Sequence, residues 1–173
     1  PLTMLSSDVG RKVFIISAAA FIVMLGAGLV GPILPKYAES FGASYSIVGL
    51  TISGFGLGRI LTDVPSGSLS DRFGRRPVII MGILLFSLAG LLAAYAASIE
   101  HLILSRFVQG VGAAVFTTSA MAYVADFVPA DKRGKYLAYY QGSFLLGSAF
   151  GPAAGGFLTK AGGIGMPFLV LSA

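Results

Sequence analysis

Gly67-Ser68-Leu69-Ser70-Asp71-Arg72-Phe73-Gly74-Arg75-Arg76 packs one acid and three arginines into a stretch with two glycines. Apolar runs close in on both sides, and charge is scarce elsewhere. The cluster must therefore sit where water or a matched partner reaches it. It reads as a short, tightly turned, cytoplasmic connection between two membrane helices.

Composition supports that reading. The chain has 173 residues, of which 55% are apolar and 11% charged, and its mean hydropathy is +0.86. Soluble domains carry roughly 25% charged residues, so the solvating surface is less than half the usual. Apolar runs recur at about twenty residues, the length that crosses a bilayer core of roughly 30 Å. The chain reads as an all-α integral membrane protein. A formal net charge of +5 admits a nucleic-acid reading. The basic residues lie in short loops between apolar runs, where membrane orientation explains them, and no nucleic-acid partner is expected. Without cysteine and with His101 as its single histidine, the chain offers no disulfide, no cysteine nucleophile and no histidine metal cluster. No cofactor or metal is expected, and no nucleophile–base pair supports an enzyme.

Taken in order, the first span covers about 13–34, after a cytoplasmic amino-terminus at 1–12. It is too long for a signal-peptide core of roughly 7–15 residues, and Pro32 and Pro35 stop it. A polar link, Lys36 to Ser44, leads to span two, about 46–67, rich in glycines that let helices approach closely in lipid. Pro77 opens span three, about 77–97. The short link Ser98–His101 makes a hairpin with span four, about 102–127. A charged loop, Pro129 to Lys135, precedes span five, about 136–158. A sixth apolar stretch starts at 163, and its eleven residues cover about half of a bilayer core. The expectation is therefore a fragment, or the visible part of something longer. Spans two and five share small-residue character and are each the middle of a three-helix unit, compatible with inverted triplets.

Arg11, Lys12, Arg72, Arg75, Arg76, Lys132, Arg133 and Lys135 fall on one side of the membrane, against Lys36 and Lys160 on the other. By the positive-inside rule the amino-terminus and the basic connection are cytoplasmic, in a multi-pass protein of the cell (inner) membrane.

Charged residues inside spans are functional candidates because burial in lipid is costly. Arg59 and Asp63 lie four apart on one face of span two. They read either as a mutually satisfied pair or as cavity-facing groups that change partner or proton. Arg106, with Gln109 on the same face, reads either as a cation snorkelling to the outer headgroups or as one lining a watery path. In span five, Gly147, Gly151, Pro152, Gly155 and Gly156 read as helix packing or as a flexing, sealing element. Tyr139, Tyr140, Gln141 and Phe144 precede them, as cavity lining or packing. Asp71, Arg75 and Asp126 are placed to form a gate whose charges pair in one state and separate in another.

These motifs together resemble the major facilitator superfamily. Gly67, Leu69, Asp71, Arg72, Gly74, Arg75 and Arg76 match its loop between helices two and three. Arg106-x-x-Gln109-Gly110-x-Gly112 resembles its fourth-helix motif, associated with proton transfer. Asp126-x-x-Pro129-x-x-x-Arg133-Gly134 resembles the loop after helix four. The stretch from Gly147 to Gly156 resembles the fifth-helix motif of drug–proton antiporters, with Ala138 where that motif carries a further glycine. The resemblance implies a twelve-helix transporter, of which this is the amino-terminal six-helix bundle with an incomplete sixth helix. It implies alternating access, with Asp71 meeting the missing half, and proton-driven export of small amphipathic compounds. The middles of spans one, four and five lack an acid, so the proton carrier is Asp63, lies in the missing half, or is absent. Two other readings stand beside it. One is a facilitator or symporter whose Arg106 binds an anionic metabolite. The other is a non-transporting scaffold or half-size protein.

Overall fold

The computed structural model describes residues 8–162, 167, 169 and 170. Among them are six helices and no strand: α1 (Asp8–Val30), α2 (Leu34–Glu39), α3 (Tyr45–Phe73), α4 (Arg75–Ala94), α5 (Ile99–Phe127) and α6 (Ala130–Gly162). Four of them, α1, α3, α4 and α5, are long and apolar enough to cross a membrane. The fifth expected span, α6, has 33 residues, about 50 Å at helical rise, but is more polar than the others. Most of the sixth stretch, from 163, lies outside the described residues.

The helices run further than hydropathy suggests. The expected loop Gly67–Arg76 is helical through Phe73, and the connection to α4 narrows to Gly74 at φ +90°. That left-handed conformation favours glycine because it lacks a Cβ. Likewise α4 begins at Arg75, ahead of Pro77, and the expected loop Pro129–Lys135 is helical from Ala130 onward. Residues 8–12, expected in the tail, belong to α1, and the link after span one contains α2. The Tyr37 hydroxyl of α2 donates to the Ala93 carbonyl at 3.0 Å, tying that link to the end of α4.

Three close crossings hold the bundle, and glycine makes each of them. On α3, a Cβ added to Gly58 would strike the Phe107 carbonyl of α5, while one on Gly110 would strike the Phe55 carbonyl. Between α4 and α5, a Cβ on Gly82 would come within 2.5 Å of the Phe116 nitrogen, and one on Gly112 within 2.5 Å of the Phe86 nitrogen. On α6, Gly147, Gly151 and Gly155 are spaced by four and form one buried stripe against Phe21, Leu25, Gly28 and Leu29 of α1. In lipid there is no hydrophobic drive between helices, so close van der Waals contact of this kind does the holding. Pro152 leaves the Ser148 carbonyl without its helical N–H. That carbonyl faces Gly28, where an added Cβ would lie 3.1 Å away.

The pairing has a pattern. The middle helix of the first triplet, α3, lays its glycines on α5, the first helix of the second. The middle helix of the second, α6, lays its own on α1. That reciprocity is what inverted triplets produce. Outward faces are apolar, with Phe14, Ile22, Ile60, Leu84, Leu88, Phe150 and Phe157 more than half exposed, as lipid-facing surfaces require.

Candidate functional site

At the end of the bundle marked by the Gly74 turn, Arg75 joins two helices beyond its own. Its Nη2 lies 2.6 Å from Asp71 Oδ1 on α3, and its Nε donates to Asp126 Oδ2 on α5 at 2.8 Å. Its Nη1 also donates to the hydroxyl of buried Ser70. The Arg75 side chain is 22% exposed and the two acids 66% and 56%. The cation is therefore partly sheltered, while its acids face water. Asp71, Arg75 and Asp126, far apart in the chain, form one network. Ser70 is a member that no charge pattern flags.

The other motif residues at this end differ in role. Arg72 stacks over Phe73 at 5.4 Å. Arg76 donates to the Tyr123 hydroxyl at 3.4 Å. Gly67 has open space around it, Leu69 is half-buried, and Arg133 is exposed near the start of α6.

Deeper in the bundle, Arg59 and Asp63 reach a cavity of about 240 Å³ between α3, α5 and α6. Of the two readings open for them, the mutual pair is not formed: among the described residues no ion pair within 4.0 Å joins them. Two neighbouring hydroxyls of α5 lie beside them instead. Arg59 Nη2 donates to Thr117 Oγ1 at 3.4 Å, and Thr118 Oγ1 donates to Asp63 Oδ1 at 3.2 Å. The Arg59 guanidinium also lies 5.9 Å from the centre of the Phe144 ring. Tyr140, fully buried, donates to the Thr117 carbonyl at 3.1 Å. Gln141 and Phe144 line the cavity with it, whereas Tyr139 is 47% exposed and pairs edge-on with Tyr136. Thr117, Thr118 and Met121 escape a sequence reading because an uncharged helix residue carries no cost that signals a role.

Arg106 does not snorkel. It is 5% exposed, with its guanidinium 4.6 Å from the centre of the Phe55 ring and Nη1 donating to Gln109 Oε1. Arg106 Nε and Gln109 Nε2 are buried without hydrogen-bond partners. A desolvated cation without an acid is costly. Replacing both partners, Arg106→Met together with Gln109→Leu, removes the charge without orphaning the buried amide and is therefore expected to leave thermal stability unchanged or raised. A fall in melting temperature of more than about 4 °C, equivalent to roughly 1 kcal/mol or more, would instead make the pair a structural element.

On α6, Gly147, Gly151 and Gly155 are buried against α1, and Pro152, though largely exposed, keeps its Cδ 3.2 Å from where a Cβ on Gly28 of α1 would lie, whereas Gly156 faces open space. Among the described residues no group of acids and histidine is arranged to hold a metal.

Comparison with known proteins agrees with this architecture. Residues 16–173 match the Major Facilitator Superfamily. Multidrug resistance protein 2 of Bacillus subtilis (strain 168) is 36% identical over 164 residues, covering 94% of this chain and 41% of that protein. Quinolone resistance protein NorA of Staphylococcus aureus is 29% identical over 150 residues, covering 87% and 39%. The crystal structure of the human organic anion transporter MFSD10 (TETRAN) aligns with a TM-score of 0.82 at 22% identity, over 96% of this chain and 46% of that one. The chain thus spans about 41% of the length of the first of these relatives. With the bundle, its glycine crossings and the family match in agreement, this chain belongs to the Major Facilitator Superfamily.

Proposed function

We propose that this chain is the amino-terminal half of a proton-coupled antiporter that exports small amphipathic compounds by alternating access. The observation that carries the reading is the cavity between α3, α5 and α6, where an acid and a cation stand unpaired inside an apolar bundle. Intramembrane charges of this kind mark substrate and proton paths. The names of the multidrug and quinolone resistance relatives favour efflux. A proton gradient supplies the energy, no cofactor takes part, and Asp63 is the proton carrier within this half. The Asp71–Arg75–Asp126 network is the gate, closing against a second bundle. The distribution of basic residues favours a cell-membrane protein with a cytoplasmic amino-terminus.

The test begins with the intact mass of the polypeptide purified from its natural membrane. It is expected to exceed twice 17.8 kDa. The complete protein in liposomes should then move amphipathic compounds against their gradient when a pH gradient is imposed. Asp63→Asn should remove that dependence while leaving insertion intact. Transport that ignores the pH gradient across a broad compound panel would end the proton-coupled reading. Undiminished coupling in Asp63→Asn would move the carrier elsewhere.

A further inference from the structure

We propose that the cavity between α3, α5 and α6 recognises a zwitterion, a small molecule carrying a cation and an anion beside an aromatic or apolar body. The inference rests on the transport reading above and names the substrate class of the same site. Arg59 and Asp63 sit four residues apart on one helix face, the spacing at which such residues normally bond each other. They do not, and each has instead one threonine hydroxyl of α5 as its polar neighbour, Thr117 for Arg59 and Thr118 for Asp63. Both charges therefore keep unused capacity. A guanidinium has five N–H donors, and Arg59 spends one on a 3.4 Å contact. A carboxylate accepts about four hydrogen bonds, and Asp63 accepts one, at 3.2 Å.

Opposite charges held apart beside a cavity cost least when one ligand satisfies both. A lone ammonium would meet Asp63 and leave Arg59 unanswered, and a lone carboxylate would do the reverse. A zwitterion answers both, with its ammonium at Asp63 and its carboxylate at Arg59. Phe144 and Met121 supply the apolar wall for the body of the ligand. A volume of about 240 Å³ falls just below the roughly 300–1,000 Å³ of drug-sized pockets, so it suits a compact molecule or the charged end of a longer one.

The probes are tryptophan, tryptamine and indole-3-propionate, which share one ring and differ in charge. Binding to the complete purified protein is measured by calorimetry at neutral pH with no gradient. Tryptophan is expected to bind at least tenfold more tightly than either of the others. Arg59→Gln should bring tryptamine level with tryptophan, and Asp63→Asn should bring indole-3-propionate level with it. Unchanged thermal melting of each variant shows that the bundle is intact. Equal affinity for tryptophan and tryptamine in the unaltered protein would overturn the inference, as would an unchanged ratio in Arg59→Gln. Binding and transport fail separately. Coupled export without a zwitterion preference sinks this inference alone, while zwitterion binding without coupled export sinks only the proton-coupled reading.

Discussion

Gly110→Val is expected to abolish recovery of folded protein. The Cβ it introduces would strike the Phe55 carbonyl, with the carbonyl carbon 2.9 Å and the Cα 3.1 Å away. Overpacking usually costs about 1–3 kcal/mol because side chains move aside. Here the obstacle is backbone on a facing helix, which moves only if α3 and α5 separate. The cost should exceed that range, and Gly58→Val should repeat it from the α3 side, where Phe107 is the obstacle. Gly56→Ala and Gly142→Ala serve as controls, since nothing lies within 4 Å of a Cβ at either position. The measurement is the yield of monodisperse protein after detergent extraction, followed by a melting curve. Normal yield for Gly110→Val would show that the α3–α5 contact is looser than its geometry implies.

Arg75→Ala is expected to reduce transport at least tenfold with insertion intact. One exposed ion pair contributes little, about 0.2–1 kcal/mol, and Asp71→Asn alone should impair transport less severely for that reason. Arg75 differs because three contacts converge on it, from Asp71, Asp126 and Ser70. Its removal leaves two carboxylates of adjacent helices without their shared cation. In the gate proposed above, that favours the separated state and disturbs the balance between states that the proposed alternating access needs. Initial transport rates in liposomes, normalised to the amount of protein inserted, report the effect. Full activity in Arg75→Ala would remove the network from the gating mechanism.

Parts of the fold were legible for a simple reason. Partition into a bilayer sums over residues, so the runs from Val13, Ser46, Pro77 and Leu102 onward declare themselves as spans. Helix ends were not legible in the same way. Hydropathy reports where the bilayer stops, whereas a helix stops where its i→i−4 bonds stop. Hence Ser68 to Phe73 and Ala130 to Lys135, charged enough to read as loops, continue helices beyond the apolar zone. The decisive feature of the first connection is the single positive φ at Gly74.

The candidate sites divide along similar lines. Asp71 and Arg75 are four apart on the line of the chain, and their pairing is local. Asp126 joins them across 51 residues. Arg59 and Asp63 have the same spacing as Asp71 and Arg75 but the opposite order, cation before acid, which is the weaker arrangement on a helix, and their polar neighbours are Thr117 and Thr118, more than fifty residues away.

Membrane insertion, the order of the helices and the positions of the costly polar side chains thus belong to the sequence, because each is a sum or a local spacing. Which of those side chains meet belongs to the tertiary structure. The glycine contacts of α3 with α5 and of α6 with α1 set the rotation and depth of each helix. Hydrogen bonds fade within a few tenths of an ångström beyond their normal length. A change in register at Gly58 or Gly110 would therefore turn Thr117 and Thr118 away from Arg59 and Asp63, and no local pattern in the chain specifies that register.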